Sequence, residues 1–382
     1  MTVKMYYSAR WNTPKEGTWS GTTWHLRKAL SERFDVVDFE ILDSGPLGKI
    51  GRHLRQRVGF DDMGLAAMRQ NSRLFWRSMD PQPGDVVFSF DECPMADKLR
   101  GVLHYVYQDN CVEYVYHAVA EHDSVEEYLG LPKASLPSIE KRLQNQRAFY
   151  ERAAGVFTMG HWLADYLINE CGLPEGKVHP VGGGSNLPYS GRNVHSFDLD
   201  APVYLFIGRD FQRKGGPDVL EAFSAVRREL PKSRLLIAGP AAEPRGTDDV
   251  GAEWLGDCSN ERVGELLDAA DVFVMPSHFE AYGIVFGEAL SRGVPCVGRD
   301  VCEMPYFIHE GENGVLVHSD DSQELAQAML RCASDEHIRR TSELESAGAA
   351  KVYSWDAVAS RIADVITRDW ENFTAESKHQ GC

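Results

Sequence analysis

Two glutamates, Glu280 and Glu288, stand with seven residues between them in SHFEAYGIVFGEALSRGVP. The apolar run DVFVMPS before them reads as a buried strand and SHFEAYG as a Gly-containing loop. IVFGEALSRG reads as a helix closed by a glycine. The pattern therefore predicts Glu280 in a loop after a strand and Glu288 about two turns into the next helix. In open α/β sheets such loops gather at the carboxyl ends of the strands, where ligands bind. Two carboxylates there suit a ligand rich in hydroxyls, such as a sugar and a ribose, because charged acceptors make the stronger hydrogen bonds. Taken alone, the pair reads more readily as ordinary helix-flanking acids. The rest of the chain has to decide.

A second chemical segment lies upstream. The strand PVYLFIG runs directly into RDFQRKGG, and a helix begins near Pro217, a residue favoured at that position. Arg209 and Lys214 thus fall in a Gly-flanked loop above a helix N-terminus. Cationic side chains, free backbone N–H groups and the helix dipole together make an anion site to which a diphosphate is matched. A solvated basic turn has the same local pattern, so this loop leaves both readings open. It lacks the G-x-x-x-x-G-K-[ST] spacing of a Walker loop, and no G-x-G-x-x-G follows the first strand.

These residues need elements to position them. Helix and strand patterns alternate along the chain, which predicts an α/β protein with parallel sheets. VKMYYSA, FDVVDFEI, GDVVFSF, LHYVYQD and GVFTM read as strands, and GTTWHLRKALSER and HWLADYLINECG as helices. The polar, turn-rich NLPYSGRNVHSFDLDAP reads as a linker. A second series follows it: PVYLFIGR, DVLEAFSAVRREL, SRLLIAGP, ERVGELLDAA, DVFVMPS, VFGEALSRG and VPCVGR. The expected organisation is an amino-terminal lobe over 1–190, a carboxyl-terminal lobe over 191–353, and a terminal helix and tail over 354–382. A ligand cleft between the two lobes is expected.

Composition bounds the function. At 382 residues and 43% hydrophobic, the chain has ample core for two domains. A net charge of −17 argues against general nucleic-acid binding and against whole-surface adhesion to anionic membranes. MTVKMYYSARWN has no apolar segment after Lys4, so no leader is expected, and no stretch reaches the length of a membrane span. The eight cysteines form no C-x-x-C pair or zinc spacing, and they read as reduced thiols of a cytoplasmic protein. No D-x-D metal site is evident: TDDV, HSDDS and FDDM read as turns.

The combination G-R-x-x-x-x-K-G-G, then SRLLIAG, then PS-x-x-E-A-Y-G-x-x-x-x-E-A-L, then G-V-P-C-V-G is far more specific than its pieces. It resembles the carboxyl-terminal half of the family-4 glycosyltransferases of the GT-B fold, closely over about residues 200 to 320 and in outline over the amino half. WLGDCSNERVGELLDAADVFVMPS and EMPYFIHEGENGVLV fit the same pattern. The resemblance implies two Rossmann-like lobes and a retaining transfer of sugar from a nucleoside diphosphate donor to an acceptor hydroxyl. It implies that Gly208, Arg209 and Lys214 hold the donor diphosphate, that Glu288 binds the ribose, and that Glu280 contacts the transferred sugar. The backbone of Tyr282, Gly283 and Ile284 would add N–H groups, and Gly256, Asp257 and Cys258 would border the base. Two cations beside the departing diphosphate take the place of a divalent metal, and no cofactor is implied beyond the donor itself. The acceptor stays open among a glycan, a lipid-linked sugar, a metabolite and a protein side chain. Two rivals share the scaffold: a nucleotide-sugar epimerase or hydrolase, and a non-catalytic nucleotide-sugar-binding module.

The amino half departs from the family. A glycine-rich loop is usual after the first strand, whereas here RWNTPKEGTWSGTTWHL is longer, with Gly21 and Thr22 opening a helix toward the acceptor side. Where the family commonly has a histidine, LHYVYQDN places Asp109, the candidate for orienting acceptor or donor sugar. His104 reads as core and His117 as a weaker candidate. His161 either touches the donor or packs locally at a helix start. Gly182, Gly183 and Gly184 give room for a hinge or a ligand. From Lys49 to Arg77, Arg52, Arg55, Arg57, Arg69 and Arg73 interleave with apolar residues. This segment reads either as a solvated helix face or as a peripheral membrane or acceptor contact. Trp355 in the tail reads as a packing anchor.

Overall fold

The computed structural model describes residues 3–42, 64–95, 101–121, 128–130, 134–187 and 197–380. The chain forms two compact units. The first comprises Met1–Val125, Leu131–Gly182 and Trp355–Cys382, and the second Glu126–Gly130 and Gly183–Ser354.

In the first unit, strands β1 (Lys4–Ala9), β2 (Asp35–Glu40), β3 (Val86–Ser89), β4 (Leu103–Gln108), β5 (Gly155–Thr158) and β6 (Val178–Pro180) form a parallel sheet of order β2-β1-β3-β4-β5-β6. Its helices are α1 (Thr22–Ser31), α2 (Leu65–Ser78), α3 (Val112–Glu121), α4 (Leu136–Arg152) and α5 (His161–Asn169). The second unit has strands β7 (Val203–Ile207), β8 (Arg234–Ala238), β9 (Glu253–Gly256), β10 (Val272–Val274), β11 (Cys296–Arg299) and β12 (Gly314–Val317) in the order β12-β11-β10-β7-β8-β9, again all parallel. Around them lie α6 (Gly216–Glu229), α7 (Thr247–Val250), α8 (Asn260–Ala269), α9 (Ile284–Leu290), α10 (Met304–Phe307), α11 (Ser322–Ser334) and α12 (Glu336–Val352).

The sequence explains these layers. Tyr204, Leu205 and Phe206 of β7 and Val272, Phe273 and Val274 of β10 are buried, as continuous apolar runs must be in a parallel sheet covered on both faces. α6 buries Val219, Leu220, Phe223 and Val226 at helical spacing, has Pro217 at its start and carries Arg227 and Arg228 in its last turn. In the second sheet the strand order reverses between β7 and β10, and in the first between β1 and β3. Such switch points are where the loops beyond the strands part and leave a crevice.

The terminal helix α13 (Trp355–Gln380) belongs to the first unit. It buries Trp355, Val358, Ile362 and Ile366, so Trp355 packs as expected. Arg361 Nε donates to the Val181 carbonyl at 2.7 Å, and the Tyr105 hydroxyl donates to Asp369 at 2.9 Å.

Three readings are refined by the structure. TDDV is one helical turn, α7, closed by Gly251 at φ +65°, because Asp248 and Asp249 favour a helix start. Glu288 is the fifth residue of the short α9, so it lies little more than one turn in. On α2, Arg69 and Arg73 are exposed while Leu65, Met68 and Phe75 enter the core, so this part of the basic segment is an amphipathic helix with its apolar side inward. Arg52, Arg55, Arg57 and the FDDM turn lie outside the described residues, as do residues 188–196 of the linker. Among the described residues no helix is long and apolar enough to cross a membrane.

Candidate functional site

The two chemical segments meet at the switch point of the second sheet. β7 ends at Ile207, and the loop from Gly208 to Gly215 leads into α6; β10 leads into the loop that carries Glu280. Lys214 Nζ donates to Glu280 Oε2 at 2.8 Å, and both side chains are more than four-fifths buried. Ser277 Oγ donates to the same oxygen at 3.3 Å. Two glycines permit this approach. A Cβ on Gly208 would lie 2.3 Å from Cδ of Lys214, so only glycine lets the lysine stem fold back over the strand end. Gly215 caps α6 at φ +74°, and a Cβ there would lie 2.5 Å from the Pro276 carbonyl.

Arg213 fastens the two loops together, a role that its sequence context did not reveal. Its Nε donates to Asp210 at 3.0 Å and its Nη1 to the Phe279 carbonyl at 2.7 Å, while its own carbonyl accepts from His278 N at 3.1 Å. Arg213 Nη1 also stands 4.0 Å from Glu280 Oε2. The only sequence signal was one more cation in a basic loop.

Arg209 differs from both neighbours. Its side chain is 77% exposed and its Nε meets Asp257 Oδ1 at 3.2 Å, a surface pair worth at most about 1 kcal/mol. An anion of higher charge can displace Asp257 at little cost. Cys258, beside it, is half-buried, donates weakly to the Gly256 carbonyl at 3.6 Å, and has its thiol pKa raised by burial.

Glu288 is 6% exposed. Its Oε1 accepts from Asn186 N at 3.0 Å and from Ser185 Oγ at 3.4 Å, and burial raises its carboxyl pKa above the ordinary value. The Tyr282 hydroxyl donates to the Gly183 carbonyl at 3.1 Å, so the Gly183–Asn186 strip runs beside the loop that carries Glu280 and the helix that carries Glu288. Gly283, at φ +83°, caps α9 ahead of Ile284.

The remaining candidates lie in the first unit. Gly21, at φ +95°, caps α1 and Thr22 is its buried first residue; Trp19 and Ser20 before them are also left-handed. Asp109 follows β4 and is half-buried. His161 is the exposed first residue of α5. His104 is fully enclosed, with Nε2 3.1 Å from Ser89 Oγ and its pKa lowered to about 3 by burial, as a core residue should be. His117 is exposed on α3. Among the described residues no group of three or more His, Cys, Asp or Glu side chains is placed to hold a metal ion.

Known proteins extend this picture. Residues 191–351 match the family model described as glycosyl transferases group 1. A D-inositol 3-phosphate glycosyltransferase of Streptomyces avermitilis is 31% identical over 230 residues, 53% of this chain and 49% of that protein. Its counterpart from Streptosporangium roseum is 35% identical over 228 residues, 53% and 52% of the two chains. A phosphatidyl-myo-inositol mannosyltransferase of Mycobacterium leprae is 32% identical over 168 residues, 42% of this chain and 45% of that one. The chain thus spans about half the length of the curated relatives it matches. Among solved structures, sucrose-phosphate synthase from Thermosynechococcus elongatus aligns with a TM-score of 0.68 at 19% identity, covering 97% of this chain and 100% of that one. WaaG, a glycosyltransferase involved in lipopolysaccharide biosynthesis, aligns at 0.63 and 16% identity, covering 95% and 99%. At these identities the likeness establishes the fold, and the fold is the expected GT-B one.

Proposed function

We propose that this chain, which carries a glycosyl transferases group 1 domain on the GT-B fold, moves a sugar from a nucleoside diphosphate donor to an acceptor hydroxyl with retention at the anomeric carbon. The observation that carries this reading is the junction at the β7/β10 switch point, where Lys214 and Glu280 are held together by loops from both strands.

Each group has a role in this reading. Arg209 and Lys214 bind the diphosphate and offset its growing negative charge as it leaves, the largest help a site can give such a step. Glu280 bonds to hydroxyls of the transferred sugar, and Glu288 to those of the ribose. Gly208, Tyr282, Gly283 and Ile284 bring backbone close to phosphate and sugar, and Cys258 borders the base. The C1–oxygen bond to the diphosphate breaks with its electron pair going to the leaving group. The acceptor oxygen bonds to C1 on the same face and passes its proton to the departing phosphate. In the first unit, Gly21, Thr22 and Asp109 serve the acceptor, and His161 the donor.

The inositol-linked relatives favour a small polyol, a glycolipid or a glycosylated metabolite as the acceptor or product class. We place the chain in the cytoplasm, with a peripheral membrane contact through Lys49–Arg77 to be tested by vesicle co-sedimentation. The assay for the reaction is chromatographic: donor consumption and glycosylated product are followed with a panel of acceptors. Glu280→Gln is expected to lower turnover more than nucleotide affinity, and equal losses in both would reduce Glu280 to a structural residue. Donor cleavage at full rate without any acceptor would favour the hydrolase or epimerase reading. Nucleotide binding with no turnover under any condition would favour a binding module.

A further inference from the structure

We propose that the second unit has a further binding site, separate from the residues discussed so far, for a compact aromatic amine. A cavity of about 350 Å³ lies among α9, α10 and α12, within the size range of small-molecule sites. Leu290 and Phe307 are its buried apolar residues, and Tyr353 and Ala349 also line it. The rings of Phe307 and Tyr353 are 5.1 Å apart at 44°, so an aromatic group has two rings to pack against.

Helix α12 contributes the second observation. Gly348 lies inside this 17-residue helix, where glycine costs about 1 kcal/mol relative to alanine. Packing does not require it, because a Cβ at Gly348 would meet nothing within 4 Å. One turn to either side, Leu344 is 75% exposed and Val352 is 51% exposed, and both line the cavity. A helix that leaves an empty position between two exposed apolar residues keeps a recess open.

Charge selects the ligand. The Glu345 carboxylate lines the exposed rim of the same cavity, where a cationic ligand can reach it. A ligand with an apolar ring and an ammonium group satisfies both the wall and the carboxylate.

The site connects with Glu288. Tyr353 packs on Gly287, where a Cβ would lie 3.0 Å from its ring, and its carbonyl accepts from Ser185 N at 2.8 Å. Ser185 and Asn186 are the residues that hold Glu288. A ligand that moves Tyr353 therefore acts on the support of Glu288. This linkage rests on the donor reading above, whereas the binding itself does not.

The test uses tryptamine and indole-3-acetate, the same ring with opposite charges, titrated calorimetrically into the full chain. Tryptamine is expected to bind one per chain and about tenfold more tightly than indole-3-acetate. Gly348→Trp fills the recess and should abolish binding. Gly348→Ala leaves room and should keep it, and Glu345→Gln should erase the preference between the two indoles. Equal affinity for the two indoles in the wild type, or tryptamine binding unchanged in both Gly348→Trp and Glu345→Gln, would overturn the site. Saturating tryptamine should also change the dissociation constant for a nucleoside diphosphate at least threefold, and no change would refute the linkage. If no nucleoside diphosphate binds, the donor reading fails while the indole titrations still decide the site.

Discussion

Replacing Lys214 by alanine separates what the lysine does for the fold from what it does for a ligand. Its ammonium is 2.8 Å from Glu280 Oε2, and removing it leaves a carboxylate that is only 11% exposed. Breaking a buried ion pair by deleting one partner costs about 3–5 kcal/mol. Here Ser277 Oγ at 3.3 Å and Arg213 Nη1 at 4.0 Å remain beside the carboxylate, so the expected loss of stability is nearer 2 kcal/mol. The effect on ligand binding is separate. A charged hydrogen bond to a phosphate is worth about 1.5–3 kcal/mol. Lys214 must loosen its bond to Glu280 to make one, which puts the net effect near 1.5 kcal/mol, about tenfold in the dissociation constant. Adding Glu280→Gln removes the stranded charge, so the double variant should regain stability over Lys214→Ala yet bind nucleoside diphosphate as weakly. Urea denaturation measures the first quantity and isothermal titration calorimetry the second. A double variant that binds nucleoside diphosphate like the wild type would refute the assignment of Lys214 to the diphosphate.

Other consequences are open to direct measurement. Burial raises the Glu288 carboxyl pKa above its ordinary value. A carboxyl shifted in this direction stabilises the fold at acid pH, and the contribution is lost as pH rises through its folded value. Wild type minus Glu288→Gln should therefore gain stability as the pH falls through the raised folded pKa of Glu288, a difference that also removes the parallel contribution of buried Glu92. Nucleotide affinity should fall over the same interval in the wild type, because the ribose needs the ionised carboxylate, and it should be weak and flat with pH in Glu288→Gln. Gly208→Ala puts a methyl 2.3 Å from the Lys214 stem and should weaken nucleotide binding several-fold while lowering the melting temperature little, since a lysine side chain can move aside. Asp109→Asn should slow transfer without changing nucleotide affinity; near-normal transfer would shift attention to His117 or His161.

Much of the framework could be read from the chain because each informative strand ends in punctuation. β7 stops at Ile207, with Gly208 next and Pro217 shortly after, and β10 gives way to Pro276 and a loop closed by Gly283. These breaks set where Lys214 and Glu280 emerge, and parallel pairing brings their loops together. The partners of those residues were hidden. Ser185 and Asn186 lie about a hundred positions before Glu288, and no local pattern connects them to it. Arg213 had the same local signature as Lys214, and only the positions of Asp210 and the Phe279 carbonyl make it a clamp, while Lys214 turns to Glu280. α9 is shorter than the sequence pattern implies because it ends at Leu290, and Ser291–Gly293 form a tighter turn in which Arg292 N and Gly293 N donate to the Ala289 and Leu290 carbonyls. The loop after β1 was legible as long and glycine-spaced, but not as three successive left-handed residues, two of which, Trp19 and Ser20, are not glycine.

The central claim is that the second unit binds a nucleoside diphosphate through Arg209 and Lys214. Thermal denaturation of the purified chain against uridine, guanosine, adenosine and cytidine diphosphates and their sugars, with and without EDTA, tests it most directly, because a ligand of the native state alone raises the melting temperature. The account predicts a rise with one nucleotide series, unaffected by EDTA and lost in the Arg209→Ala, Lys214→Ala double variant. No rise with any nucleotide, or a rise that survives in the double variant, would contradict it.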